Sequence, residues 1–187
     1  MLNSNEKIYP ECSFKSRTVE VGGLTKWELI EKLKKTSILI NEFGERLLAD
    51  DKFTTSETKY ILQTVELTVE NLGFPDGATT DQIFYRAKEL GLELCPIELG
   101  PYLRLDYLDQ PEGSSGKLPK HQAPSGSITI ASEILTEDDD FPKGFYLRRI
   151  NGVLWLRGYL ADHLHVWNPE DHFIFCQNGR SEKSSGI

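Results

Sequence analysis

Apolar positions recur with the period of an α-helix in two short segments near the beginning of the chain. The first segment, LTKWELIEKLKK, carries the capping-box pattern of Thr25 and Glu28. Its apolar side chains on one helical face are predicted to be buried: Trp27, Ile30 and Leu33. A second helix is predicted from about Asn41 to Ala49, capped by its asparagine. We therefore expect a small helical N-terminal piece at residues 21–58.

The pattern changes to that of strands and turns in residues 59–177. The segment ILQTVELTV is β-branched and alternating, and LRLDYL, SITIAS and HFIFC are further strand candidates. The segment TTDQIFYRAKELG is predicted to be a helix that a threonine caps and Gly91 ends. We expect an α+β fold, in which an antiparallel sheet with packed helices follows the N-terminal piece. Polar, patternless residues predict a flexible arm at 1–20 and a flexible tail at 178–187.

The stretch FYLRRINGVLWLRGYL, residues 145–160, is predicted to be a β-hairpin. Asn151 and Gly152 are the preferred pair for a two-residue type I′ turn, which fixes the register of the strands. One face of the hairpin is then apolar and is predicted to lie in the core: Phe145, Leu147, Leu154 and Leu156. The other face sets each arginine opposite an aromatic ring and is the candidate ligand-binding surface: Tyr146, Arg148, Trp155 and Arg157.

This arginine and aromatic face has two interpretations. An arginine over an aromatic ring contributes about 0.5–1 kcal/mol when exposed, so the array has a structural explanation without any ligand. The same side chains would also stack a planar ligand while the guanidinium groups bind a phosphate or carboxylate. The choice depends on whether the N-terminal helices cover this face.

Three runs, LCPIELGPYLRL, PKGFYLRR and GVLWLRGY, resemble those of a family of bacterial cytosolic proteins with no known activity. The resemblance extends from about Gly22 to Cys176. Some members of that family are labelled helicases, and some begin near the ELTVENLGF segment, which implies that the residues before it are optional. The resemblance supplies no catalytic residues.

A helicase motor needs a phosphate-binding loop of the form G-x-x-x-x-G-K-[ST]. The nearest stretch, GSSGKLP, has different glycine spacing and lacks a hydroxyl residue after Lys117. It also lies in a proline-rich segment without a following helix. We therefore do not expect this protein to separate nucleic-acid strands with ATP.

Net charge and the lengths of the apolar runs indicate which classes of partner this protein does not bind. The 187 residues carry 21 basic and 29 acidic side chains, a formal charge of −8 that repels nucleic-acid phosphates and anionic membranes. A DNA-reading helix needs local positive charge, but the second predicted helix is mainly acidic. The chain shows neither a secretory apolar region nor a run of about 18 apolar residues. We expect a cytoplasmic protein that binds neither membrane nor nucleic acid.

The C-terminal part contains a candidate metal site. His163 and His165 alternate as two ligands on one strand face would, and Asp171 and His172 follow a turn. Three histidines and a carboxylate would suit a divalent metal. Spacing does not show that the four side chains converge, so a solvated connection between strands is the favoured interpretation.

Other candidate groups also have a structural explanation. Cys95 would be a nucleophile if His121 approached it from the long loop at 109–126, but a buried thiol is the favoured interpretation. That loop is the candidate for a flexible flap. The acidic residues 137–140 lack calcium-loop spacing and are predicted to form a solvated turn. The three cysteines are too far apart in sequence to indicate a disulfide framework or a zinc site.

Two functions from different classes remain open. The first is a binding module without catalytic activity, whose hairpin face takes an unknown protein partner or a small anionic ligand. The second is a small metal-assisted hydrolase that uses the histidine cluster. We predict no cofactor, and we prefer the binding module because no arrangement of nucleophile and base is recognisable.

Overall fold

The computed structural model describes residues 7–113 and 123–177. Its helices are α1 (Lys26–Lys35), α2 (Glu42–Ala49), α3 (Thr80–Glu89) and α4 (Leu99–Asp106). Its strands are β1 (Lys15–Val21), β2 (Leu39–Ile40), β3 (Tyr60–Thr68), β4 (Ala78–Thr79), β5 (Leu92–Glu93), β6 (Ile128–Ile130), β7 (Gly144–Ile150), β8 (Val153–Tyr159), β9 (Val166–Trp167) and β10 (His172–Gln177). None of the helices in these two ranges is long and apolar enough to cross a membrane.

The fold is α+β, as predicted, but its main sheet is mixed and not antiparallel. The described strands form an eight-stranded, strongly curled half-barrel in the order β1-β3-β10-β6-β7-β8-β2, with β5 paired to β10. Strands β6 and β10 run parallel, and so do β2 and β8. Both parallel pairs join segments that are far apart in sequence, so local periodicity contains no information about their direction.

The prediction of a separate helical N-terminal piece is wrong. Helices α1, α2 and α4 all lie on one face of the sheet and bury their leucines in a single core. The members of that core come from both sides of residue 58 and include Leu29, Leu33, Leu47, Leu48, Leu99, Leu103, Ile128, Leu147, Leu156 and Ile174. A helix this short is stabilised mainly by packing, which is why the first two helices dock on the sheet.

The prediction of a flexible arm fails where β1 begins. Lys15–Val21 pairs with β3 along its whole length, with Val19 opposite Leu62 and Val21 opposite Tyr60. Only these two valines of β1 are buried, since the strand lies at the edge of the sheet and its other side chains are partly or fully exposed. Because so few of its positions are buried, the sequence of β1 is mostly polar and does not show the pattern of a strand. Residues 1–6 and the predicted tail at 178–187 lie outside the described residues.

A second, smaller core covers the other face of the sheet. Helix α3 and the two-stranded β4-β9 sheet pack there, through Ile83, Ala87 and Trp167. Strand β10 is buried on both faces, because Ile174 and Cys176 belong to the first core while Phe173 and Phe175 belong to the second. This explains the nearly continuous apolar sequence of β10.

Two local predictions need correction. The segment LRLDYL is the end of helix α4 and the residues after it, not a strand. The described α4 is buried on nearly all sides, so the helical period is not visible in its sequence. In α1, Trp27 is 69% exposed whereas Leu29 and Leu33 are fully buried. The face toward the core is therefore centred on the i, i+4 pair of these two leucines, and Trp27 points outward, contrary to the prediction.

Candidate functional site: an acid-free pocket beside Arg157

The hairpin that the sequence predicts is present with the predicted register. Strands β7 and β8 pair antiparallel, with Tyr146 opposite Arg157 and Arg148 opposite Trp155. Asn151 and Gly152 have φ of 50° and 76°, the left-handed values that a type I′ turn requires. The turn therefore determines which side chains share a face.

The two faces of the hairpin have different surroundings. Phe145, Leu147 and Leu156 are buried in the first core beneath the helices. The helices therefore cover the apolar face, and they leave the arginine and aromatic face to other segments. The beginning of α2, at the edge of β8, reaches that second face through Asn41 and Phe43.

A pocket of about 320 Å³ lies on the arginine and aromatic face. Its described lining residues are Asn41, Phe43, Ala123, Pro124, Ser127, Thr129, Tyr146, Arg157, Gly158, Tyr159, Leu160, His165 and Trp167. None of these is acidic, although the chain carries 29 acidic residues. The guanidinium of Arg157 is the permanent cation among them, so the lining is locally positive in a negatively charged protein.

Arg157 lies on the floor of the pocket and is held by aromatic rings. Its guanidinium carbon is 5.1 Å from the ring centroid of Trp155 and 5.8 Å from that of Tyr146. Its Nε is buried and makes no hydrogen bond, and no described carboxylate pairs with it. Arg104 and Arg149 also have a buried Nε without a hydrogen bond, so Arg157 differs from them by lining the pocket.

The predicted ligand-binding residues divide into two pairs. Tyr146 and Arg157 line the pocket, whereas Arg148 and Trp155 do not. Arg148 is only 7% exposed, and Gly113 lies over its Nε. Burial lowers the pKa of Arg148, and the positive charge of Arg157 adds to that effect. Burial raises the pKa of Tyr146, so its hydroxyl remains a hydrogen-bond donor at neutral pH.

Asn41 builds one wall by joining α2 to the edge of β8. Its side-chain oxygen accepts hydrogen bonds from the N–H groups of Gly44 and Gly158, both at 2.8 Å, and its Nδ2 donates to the Gly158 carbonyl at 3.1 Å. A Cβ at Gly158 would lie 2.6 Å from the carbonyl carbon of Phe43. The close contact between helix and strand brings Phe43 to the pocket.

Aromatic side chains form the opposite wall. Trp167 is buried, donates from Nε1 to the Thr80 hydroxyl at 2.9 Å, and packs edge-on against Tyr159 at 5.6 Å between ring centroids. The His165 ring lies edge-on to Trp167 at 4.8 Å. This wall is apolar and rigid. The sequence offered no indication of it, because β9 and β4 pair across 87 positions.

A buried polar network supports the hairpin from its apolar side. The fully buried Arg104 donates to Gln110 Oε1 at 2.6 Å, to the Trp155 carbonyl at 3.3 Å and to the Tyr107 carbonyl. Gln110 in turn donates to the Leu147 carbonyl at 3.0 Å. Burial lowers the pKa of Arg104 to about 10. Sequence analysis missed this network, in which α4 holds both strands of the hairpin.

The four predicted metal ligands do not converge. His163 lines a different, smaller cavity, while His165 packs on Trp167. The His172 Nδ1 lies 2.9 Å from Glu66 Oε1, and Asp171 accepts a hydrogen bond from the Asn168 N–H at 2.8 Å. Within the described ranges, no group of three histidine, cysteine, aspartate or glutamate side chains is placed to hold a metal ion. Spacing in sequence was misleading because His163 and His165 lie in a turn and not on a strand.

The remaining chemical candidates have structural surroundings. Cys95 is buried with its sulfur 3.1 Å from that of Cys176, and burial raises the pKa of the Cys95 thiol. His121 lies outside the described residues, as does part of the predicted flap, residues 114–122. In the acidic run, Asp138 accepts from the Asp140 N–H at 2.9 Å, and its carbonyl accepts from Lys143 Nζ at 2.7 Å. These are contacts within a turn.

No family model, curated protein or solved structure matches this chain.

Proposed function

We propose that the protein is a binding module whose pocket on the β7-β8 hairpin takes a small anionic ligand. The observation that carries the proposal is the Arg157 side chain, which lines a pocket whose described lining contains no acidic residue. An anion in the pocket would accept hydrogen bonds from the guanidinium and neutralise its charge.

The aromatic groups around Arg157 support the same function. Rings below and beside the guanidinium hold it in place, which reduces the side-chain entropy lost when a ligand binds. A concave, mainly apolar pocket with a few polar groups is typical of small-molecule sites, and 320 Å³ is at the lower end of their usual size. The ligand is therefore expected to be small.

Binding of benzoate, benzenesulfonate and phenyl phosphate tests the proposal. Each probe would be titrated into the protein and detected by ligand NMR and tryptophan fluorescence. We expect at least one probe to bind, and Arg157→Gln to weaken that binding about tenfold or more, because a hydrogen bond to a charged group contributes about 1.5–3 kcal/mol.

Arg17→Gln is the matched control. Arg17 also lies over an aromatic ring, with its guanidinium carbon 4.1 Å from the Tyr107 centroid, but it is on β1 and does not line the pocket. We expect wild-type affinity in this variant. Equal affinity in wild type and Arg157→Gln, or no binding of any probe, would contradict the proposal, provided that thermal unfolding shows both variants to be folded.

A further inference from the structure

We infer that the ligand class of this pocket is a compact monocarboxylate with a planar, apolar body. The inference rests on the proposed function and specifies the chemistry of the anion. Three independent features of the described pocket lead to it: its charge, the row of donors on its floor, and the nature of its walls.

The charge of the pocket matches one negative charge. Arg157 is the arginine that lines it, and its described lining includes no lysine. The neighbouring Arg148 is buried beneath Gly113 and does not line the pocket. A dianion such as a phosphate monoester would therefore bring a second charge that no arginine or lysine of the described lining neutralises, and burying an uncompensated charge is costly. A carboxylate carries the single charge that one guanidinium neutralises.

Hydrogen-bond donors on the floor lie in a row across three strands. Thr129 on β6 is directly opposite Tyr146 on β7, and Tyr146 is directly opposite Arg157 on β8. Directly opposed side chains share a face, and neighbouring strands are about 4.8 Å apart. The side chains of Thr129, Tyr146 and Arg157 therefore share one face of the sheet, and all three line the pocket. A carboxylate bound to Arg157 would lie on the same face as the Thr129 and Tyr146 hydroxyls, and Ser127 also lines the pocket.

The walls match a planar, apolar body. The aromatic side chains of Phe43, Tyr159 and Trp167 line the pocket. Pro124 and Leu160 add aliphatic surface. These groups offer flat faces and ring edges against which an aromatic or heteroaromatic ring packs favourably. A pocket of about 320 Å³ accommodates such a ring with its carboxylate, but not a long chain.

Three probes of nearly equal shape test the ligand class: benzoate, the neutral benzamide and phenylphosphonate in its doubly ionised form. We expect benzoate to bind about tenfold or more tightly than benzamide, and more tightly than phenylphosphonate, by titration calorimetry or NMR. Arg157→Gln should remove the preference for benzoate over benzamide. Thr129→Val, which deletes one hydroxyl at nearly constant shape, should weaken benzoate about two- to tenfold.

The outcomes separate this inference from the proposed function. Tighter binding of phenylphosphonate than of benzoate, still dependent on Arg157, would overturn the carboxylate assignment and leave the anion site intact. Equal benzoate affinity in a folded Thr129→Val variant would overturn the role of the three-strand row. Binding of all three probes that is unaffected by Arg157→Gln would overturn both the inference and the proposed function.

Discussion

Three arginines in one hairpin have three different environments, and their neighbours from distant segments determine their roles. Arg148 is buried under Gly113, Arg149 lies 3.4 Å from the Glu112 carboxylate, and Arg157 faces the pocket. Unlike Arg149, Arg157 has no ion pair with a carboxylate of the described residues. At the scale of the residue, an arginine is a candidate for ligand binding when it lines a pocket and forms no ion pair with a carboxylate of the same protein.

Asp171 offers a prediction at the same scale. Burial, reinforced by the nearby charge of Glu170, raises its pKa from 3.8 to about 6, although the Asn168 N–H opposes the shift. The folded protein therefore holds this proton at pH values where the unfolded chain releases it. The free energy of unfolding should fall as pH rises from about 4 to about 6, because the folded state binds more protons in that window. Asp171→Asn should remove that part of the pH dependence.

Urea unfolding at about pH 4 and about pH 7 measures this effect. Asp162→Asn is the matched control, since Asp162 is exposed and accepts an equivalent hydrogen bond from the Leu164 N–H at 2.9 Å. If Asp171→Asn kept the full pH dependence of the wild type, burial of the carboxyl group would not be its cause.

Sequence predicts the site only as far as local pattern extends. Tyr146 and Arg157 were predicted because an Asn-Gly turn fixes the register of a hairpin. Thr129, Phe43 and Trp167 were not, because each reaches the pocket through pairing or docking of a distant segment. The same limit explains why Arg148 was assigned to the site although a loop segment buries it.

At the scale of elements, Asn41 has two structural roles. It is the N-cap of α2, as the sequence predicts, and its amide also pairs with both backbone groups of Gly158 in the manner of a neighbouring strand. It thereby continues the edge contact of the two-residue strand β2. One side chain holds the helix, the sheet edge and one wall of the pocket together.

Asn41→Ala should therefore cost more stability than the loss of an ordinary cap. We expect the free energy of unfolding to fall by about 2–3 kcal/mol, against about 1 kcal/mol for Thr25→Ala, because Thr25 caps α1 without contacting a strand. Chemical unfolding of both variants measures the difference. Equal losses would show that the contact with Gly158 contributes little.

Helices and strands were predictable where the residues within them carry a local signal, such as a capping residue. The caps Thr25 and Asn41 are where the sequence places them, and the threonine that caps α3 is Thr79. Helix α4 and strand β1 were missed for opposite reasons, since the former is buried on nearly every side and the latter lies at an edge with few buried positions. In both cases the missing information is the identity of the neighbouring element.

At the scale of the whole molecule, residues 7–58 and the rest of the described chain share one core. Strand β1 begins the sheet order and β2 ends it, so the N-terminal segments flank both edges of the half-barrel. Helices α1 and α2 cover the face that carries Leu147 and Leu156. The N-terminal segments are therefore part of the fold and are not an addition to it.

Deletion of residues 1–58 tests this organisation. The shortened chain would lose β1, α1, β2 and α2 and expose apolar surface on the sheet. We expect it to lose cooperative unfolding, seen by circular dichroism in urea, while the full-length chain unfolds in one transition. A shortened chain with a sharp transition at the wild-type midpoint would contradict the shared core.

The acid-free lining of the pocket has a consequence for the rate at which an anion arrives. The molecule as a whole carries a formal charge of −8, and at physiological salt an approaching negative ligand feels this repulsion only within about one Debye length, roughly 8 Å, of the surface. Added salt would therefore accelerate association, the reverse of what a basic anion receptor shows. Under the proposed function, the protein would bind anions that reach the pocket and would not attract them from a distance.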